Sequence, residues 1–91
     1  MSEKTVNIDS LQFASSILST YIQVLSTNLR KMNDAARDCN DNMEHDTYSR
    51  QAMASLAEYI NEMEKAVTSA EEIKEKIDQK IKAILASSED W

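Results

Sequence analysis

Across 91 residues there is neither a glycine nor a proline, where average usage of about 7% and 5% would supply roughly eleven of the two together. A chain without these punctuators is mostly helix. Two-residue hairpin turns of the primed types need positive φ, which glycine supplies best, so a β-rich fold with several tight turns is disfavoured. The absence also removes function classes. Phosphate-cradling loops and dinucleotide-binding turns require the backbone to approach a ligand closely, and side chains at those positions would block it.

Size and charge narrow the field further. A chain this short forms one domain and buries only a little over about 60% of the surface that its unfolded form exposes. Small domains find additional support in disulfides, metals or oligomers. The single cysteine, Cys39, cannot bridge within the chain, which leaves association as the source of support. With ten basic residues scattered among sixteen acidic ones and a net charge of −6, the chain lacks the clustered cations that nucleic acid or an anionic membrane surface requires. The segment Ser10 to Leu29 carries no charge, yet half of it is Ser, Thr, Gln or Asn, too polar for a membrane span. The start, Met1 to Lys4, is not the basic leader of a signal peptide. The expectation is a cytoplasmic protein, or one exported without a cleaved leader.

Residues 1–7 read as a flexible polar arm. At Asp9 and Gln12 the sequence matches a capping box, with Ile8 and Phe13 as a hydrophobic staple, which sets the first helix start at Asp9. Leu11, Leu18, Leu25, Met32 and Cys39 then recur every seven residues, with Ala14, Tyr21, Asn28 and Ala35 in the companion positions of a 3-4 seam that extends to about Asp38. Ile17, Ile22, Val24 and Leu29 widen the apolar zone, and several serines leave room for a close neighbour.

Between Asp38 and Thr47 the residues favour turns, and Asp46 or Thr47 is the N-cap of a second helix over about 46–86. That helix carries its own seam: Met53, Leu56, Ile60, Met63, Val67, Ala70, Ile77, Ile81 and Ile84, with one mismatch at Lys74. Glu72 with Lys76 and Asp78 with Lys82 are i, i+4 pairs on the opposite, solvated face. Ser69 and Glu72 match a second capping box, so a break near Thr68 is an alternative. Residues 87–91 read as a flexible tail.

The expected fold is therefore all-α, a single antiparallel two-helix hairpin over about 9–38 and 46–86. A two-helix hairpin has almost no interior, and pairing two of them into a four-helix bundle covers the wide face of the first helix. The expected partner is a second copy or another helical protein, held by Leu11, Leu18, Tyr21, Leu25 and Leu29 on one helix and Leu56, Ile60, Met63 and Val67 on the other. Trp91 is a further anchor candidate, beyond the last seam residue.

The turn gathers Asp38, Cys39, Asp41, Glu44, His45 and Asp46. Counted from Asp38, oxygen-bearing side chains fall at positions 1, 3, 5, 7 and 9 of a calcium loop. Position 6 is Met43 in place of glycine, and position 12 is Ser49 in place of a bidentate Glu, so no metal or other cofactor is assigned. Cys39 falls on an apolar seam without an apparent cationic cluster to activate it, and the carboxylates form no evident pair for acid-base work. The chain reads as non-enzymatic. Met32, Met53 and Met63 lie on the seams and read as core fillers, while Met43 lies in the turn.

A short polar arm, two long helices joined by one turn, and a Ser-rich uncharged first helix resemble the WXG superfamily of small type VII secretion proteins. The likeness covers roughly residues 6 to 85, and Asp46-Thr47-Tyr48-Ser49-Arg50-Gln51-Ala52 stands where members begin their second helix. The family's Trp-x-Gly turn has no counterpart, since Trp91 is the sole tryptophan. Its tyrosine-based export signal is also absent: Tyr59 is followed four residues later by Met63, and Tyr48 by Ala52. In this the chain is closer to the motif-poor helical companions of larger secreted toxins. The resemblance implies a helical-hairpin secretion substrate or effector partner. The alternative from another class is an acidic cytosolic adaptor, chaperone or phage-type inhibitor that binds a basic protein through the turn and the terminal Glu89-Asp90-Trp91.

Overall fold

The structure is a computed structural model that describes residues 3–42 and 44–89, with side chains from 8 to 42 and from 44 to 87. Two helices account for it: α1, Glu3–Asn42, and α2, Thr47–Glu89. Together they form an all-α helical hairpin. The chain divides into two compact units, one made of the segment up to Ile22 with the segment from Ser69 onward, the other of Gln23–Thr68.

Helix α1 begins at Glu3, six residues before the capping box, so Asp9 lies inside the helix and the polar arm is helical from Glu3. Nothing in Glu3 to Ile8 opposes this. Without glycine or proline, each added residue costs at most about 0.7 kcal/mol of intrinsic propensity, and a helix once nucleated propagates readily. The staple fails with the cap, because Phe13 is exposed while Ile8 is half-buried. Helix α2 runs unbroken through Thr68 and Ser69 to Glu89. Ala70, just past the start of the second capping box, is buried at 6% exposure, and packing there outweighs the local signal for a break. Residues 87–89, assigned to a flexible tail, are helical backbone.

In the first unit, α1 presents Ile8, Leu11, Ser15, Leu18 and Ile22 as half-buried positions; α2 presents the buried Ala70 with half-buried Lys74, Ile77, Ile81 and Ile84. In the second unit the corresponding residues are Leu25, Leu29, Met32, Ala36 and Cys39 on α1, with Ser49, Met53, Leu56, Ile60, Met63 and Val67 on α2. The steps alternate between three and four residues, as helices packed along a shared seam require. Every α2 position of the expected seam is at least half-buried.

On α1 one row differs. Leu11, Leu18, Leu25, Met32 and Cys39 are half-buried as the repeat requires, and so is the expected companion Ala14, with Ser15 beside it; further along the companions are Ile22, Leu29 and Ala36, and Tyr21, Asn28 and Ala35 are exposed. The choice follows from burial energy. Hiding Ile22 and Leu29 contributes roughly 1.5 to 3 kcal/mol each, whereas the other row would bury the Asn28 amide and the Tyr21 hydroxyl and need partners for both.

The core is very small. Among the described residues only Ile60 and Ala70 are buried, one in each unit, and no polar side chain is. Ile60 is 7% exposed, and truncating such a side chain removes transfer energy and leaves a cavity. Ile60→Ala is therefore expected to lower the unfolding free energy by about 2 to 4 kcal/mol. Tyr59→Ala, at an exposed neighbour, should change it by no more than about 0.5 kcal/mol. Urea unfolding followed by circular dichroism measures both; equal losses would place the packing seam elsewhere.

Candidate functional site

Three features carry polar or apolar chemistry beyond the seam. The first is the turn of the second unit. Asp46 caps α2: its Oδ1 accepts the Ser49 backbone N–H at 2.7 Å, and its carbonyl accepts that of Arg50 at 3.0 Å. The Arg50 guanidinium folds back to donate to the His45 carbonyl from Nε at 3.2 Å and from Nη2 at 2.9 Å. At the end of α1 the Asn42 amide donates to the Asp38 carbonyl at 2.9 Å and to its Oδ1 at 3.0 Å. Asp38 and Asp46 are thus engaged in terminating helices, where otherwise unpaired backbone groups need partners. The connection is made with no positive φ among the described residues. Nor do these hold any group of three or more His, Cys, Asp or Glu placed for a metal ion. Cys39 is half-buried and in no disulfide, beside a small surface notch lined by Asn40, Glu44, His45, Ser49, Arg50 and Met53.

The second feature is a polar layer in the seam of the first unit. Lys74 Nζ lies 2.7 Å from Asp78 Oδ2, and the Ser15 hydroxyl of α1 donates to Asp78 Oδ1 at 2.6 Å. The direct contact of Asp78 is thus with Lys74, while Lys82 acts on it by charge alone. Asp78 is half-buried and turns toward α1 and Lys74, so the Lys74 mismatch in the α2 seam has its own counter-charge one turn on. Ser15 interrupts the apolar row of α1 at the point where that carboxylate arrives. An open groove beside the layer is lined by Ser19, Ile22, Glu71, Glu75, Gln79 and Lys82, a mixed-charge surface with ready access to water.

The third is apolar. On α1 in the first unit Phe13, Ile17 and Tyr21 are 69%, 54% and 45% exposed. Successive steps of four residues place them along one ridge of the helix, away from the seam row of Leu11, Ser15, Leu18 and Ile22. The uncharged stretch Ser10 to Leu29 contains all three. Large side chains commonly lie singly on surfaces, but three in a row without an intervening charge form a contiguous patch of the kind that marks contact sites.

The expected partner-interface residues divide accordingly. Leu11, Leu18, Leu25, Leu29, Leu56, Met63 and Val67 are half-buried and Ile60 is buried, so the hairpin itself already uses most of their surface. Tyr21 alone among them is exposed, and Trp91 lies outside the described residues. Phe13 and Ile17 belong beside Tyr21. Their signal in the sequence is the i, i+4, i+8 spacing inside the uncharged segment, which is not part of a seven-residue repeat.

Two carboxylates are held below the ordinary aspartate value of 3.8: Asp46 by the Ser49 backbone N–H and hydroxyl, and Asp78 by the Lys74 ammonium, then the Ser15 hydroxyl. A pKa lowered by folding means that the unfolded chain binds the proton more tightly. Stability from both groups is present above the unfolded value and is lost as pH falls through the folded one. The thermal midpoint is expected to fall as pH drops below about 4, and Asp46→Asn combined with Asp78→Asn should flatten that fall. Melting curves between pH 2 and 7 check this; an undiminished acid slope in the double variant would assign it to other carboxylates.

No protein-family model matches this chain, and comparison with curated proteins and with solved structures likewise gives no match.

Proposed function

We propose that the protein is a non-enzymatic interaction module, a helical hairpin that completes a four-helix bundle with a helical partner. It would act in the manner of a WXG-type secreted protein or of the small helical companion of a secreted effector. The observation that carries this reading is the uncovered ridge of Phe13, Ile17 and Tyr21 on a helix stretch without charge. A hairpin whose described core consists of two buried side chains gains most from a neighbour that covers such a ridge, since apolar burial contributes about 25 cal/mol per Å².

Acidic capture of a basic protein through the turn has less to work with. Asp38 and Asp46 each have one carboxylate oxygen engaged at a helix end, and the charge of the turn is spread over four exposed carboxylates with Asp41 and Glu44.

No helix among the described residues is long and apolar enough to cross a membrane; the net charge of −6 opposes an anionic membrane surface, and the ridge is assigned to a protein partner. A photo-reactive phenylalanine analogue installed in place of Tyr21 in the producing cells tests this. Illumination is expected to trap a protein adduct, whereas the same group in place of Lys80, on the exposed charged side of α2, should trap none. The absence of any adduct at position 21, with the chain folded and abundant, would overturn the reading.

A further inference from the structure

We propose that the second unit carries a docking site for an acidic segment of a partner protein, built on α1 around the Arg30 and Arg37 guanidiniums. The inference rests on the interaction reading above and deepens it by naming the chemistry of the partner.

Charge is unevenly distributed along the chain. Against a net charge of −6, the stretch from Ser10 to Arg37 carries three cations, Arg30, Lys31 and Arg37, and one carboxylate, Asp34. All four belong to the second unit, Gln23–Thr68, and all four are exposed. The other Arg and Lys of that unit are occupied: Arg50 donates twice to the His45 carbonyl, and Lys65 pairs with Glu62 at 3.4 Å. Arg30 and Lys31 have no hydrogen-bond or ion-pair partner among the described residues. Arg37 is held loosely. Its Nη1 stands 3.8 Å from Asp34 Oδ1, with the two side chains 74% and 65% exposed, and an open pair of that kind is weak enough to exchange for a closer carboxylate.

The geometry suits a facing helix. Arg30, Asn33 and Arg37 stand along one side of α1 at steps of three and four residues, and with Ser26, Leu29 and Asp34 they line a shallow groove. The Asn33 amide donates to the Leu29 carbonyl one turn back at 3.1 Å, which ties that side chain to the backbone and leaves an open floor between the arginines. Seven residues separate the two guanidiniums, about 10.5 Å along the axis at 1.5 Å per residue. Carboxylates seven residues apart on a second helix have the same separation, so one helix can meet both. Each guanidinium can take a carboxylate through two parallel N–H···O bonds, and it is more weakly hydrated than an ammonium, so covering it sacrifices less hydration.

Three cations beside a carboxylate match a discrete pair of acidic side chains better than a continuous row of phosphates. A nucleic-acid duplex or an anionic lipid surface would also meet Asp38 and Asp41, the next charges along α1, and the net negative charge repels both. A short acidic segment avoids those two residues.

The test uses the full-length chain in two settings. In vitro the probes are two stapled helical peptides of otherwise identical sequence, one with glutamates seven residues apart and one with glutamines in their place. In 0.1 M NaCl the glutamate peptide is expected to bind about tenfold more tightly and to shift the amide NMR signals of residues 30–37. At 1 M NaCl, where the screening length is about 3 Å, the difference should vanish. Arg30→Gln with Arg37→Gln should abolish it with unchanged helical circular dichroism, while Lys76→Gln with Lys80→Gln, an equal loss of charge on α2, should leave it intact. In the producing cells, a photo-reactive phenylalanine analogue in place of Asp34 should trap a protein through a segment rich in Asp and Glu. Replacing those carboxylates by lysines should remove the adduct, and Arg30→Glu with Arg37→Glu should restore it.

Equal binding of the two peptides overturns the proposal. So does a difference that survives Arg30→Gln with Arg37→Gln, or tighter binding of a DNA duplex or of phosphatidylserine vesicles than of the glutamate peptide. An adduct at position 21 with none at 34 would refute acidic docking and keep the interaction reading. The same holds for an adduct at 34 with a second copy of this chain, with a segment lacking carboxylates, or indifferent to both charge exchanges. No adduct at either position would end both.

Discussion

A helix that packs against one neighbour buries one stripe, and every feature of this protein follows from having a single neighbour for each helix. In either unit the seam admits about one side chain per turn of each helix, and the rest of the helix meets solvent. Hence only Ile60 and Ala70 are buried among the described residues, and the other seam residues are covered on one side alone. Hydrophobic energy scales with the area removed from water, so a half-covered leucine delivers only part of what it would in a globular core. The fold makes up the shortfall in length: helices of 40 and 43 residues repeat a weak contact many times.

Length brings a hazard of its own, because a regular seam of similar side chains packs nearly as well when shifted by one heptad. The Ser15, Lys74 and Asp78 layer answers it. An Asp78 carboxylate with one oxygen on Lys74 and the other on Ser15 has a satisfied geometry in one register. After a seven-residue slip in either direction it would face an aliphatic member of the row, Ile8 or Ile22, with no hydroxyl to donate. A polar group in a seam commonly trades some stability for this kind of specificity. In the second unit the cap of Asp46 and the Arg50 grip on His45 set the length of the connection, which again limits slippage.

Much of this is legible in the residues. The helical fold read from the absence of glycine and proline, the α2 seam from Met53 to Ile84, and a cap at Asp46 or Thr47, the role that Asp46 takes, all follow from spacing and side-chain chemistry. What the sequence conceals is a choice between near-equals. Tyr21 and Ile22 are adjacent apolar residues, and either row completes a 3-4 repeat with Leu18 and Leu25; the gain from burying Ile22 and Leu29 and the cost of burying the Tyr21 hydroxyl and the Asn28 amide decide between them. The start of α1 is obscured in a similar way. A capping box at Asp9 permits a helix to begin there but does not prevent one from having begun earlier, since what ends a helix is a residue that opposes it, and Glu3 to Ile8 contain none. Asp78 misleads for a third reason: an i, i+4 partner exists on each side of it, and the presence of Ser15 across the seam is a fact of tertiary packing.

The choice of row has a consequence for how a further layer can be added. By burying Ile22 and Leu29, α1 turns Phe13, Ile17 and Tyr21 outward, and these lie in the one long stretch of the chain without charge. Helix α2 resolves the same problem in the opposite sense. Its outward positions are largely Glu and Lys, with Glu62 and Lys65 paired at 3.4 Å in the second unit, and its exposed Tyr48, Tyr59, Ile73 and Leu85 stand among those charges instead of in an uncharged stretch. The two helices therefore differ in what they offer outward although both contribute to the seam. A surface of fixed charges must lose its hydration to be covered, and that desolvation opposes association; a surface of aromatic and aliphatic groups gains by being covered. Any added layer is thus directed to α1, and the asymmetry that directs it is written in the distribution of charge between the two helices.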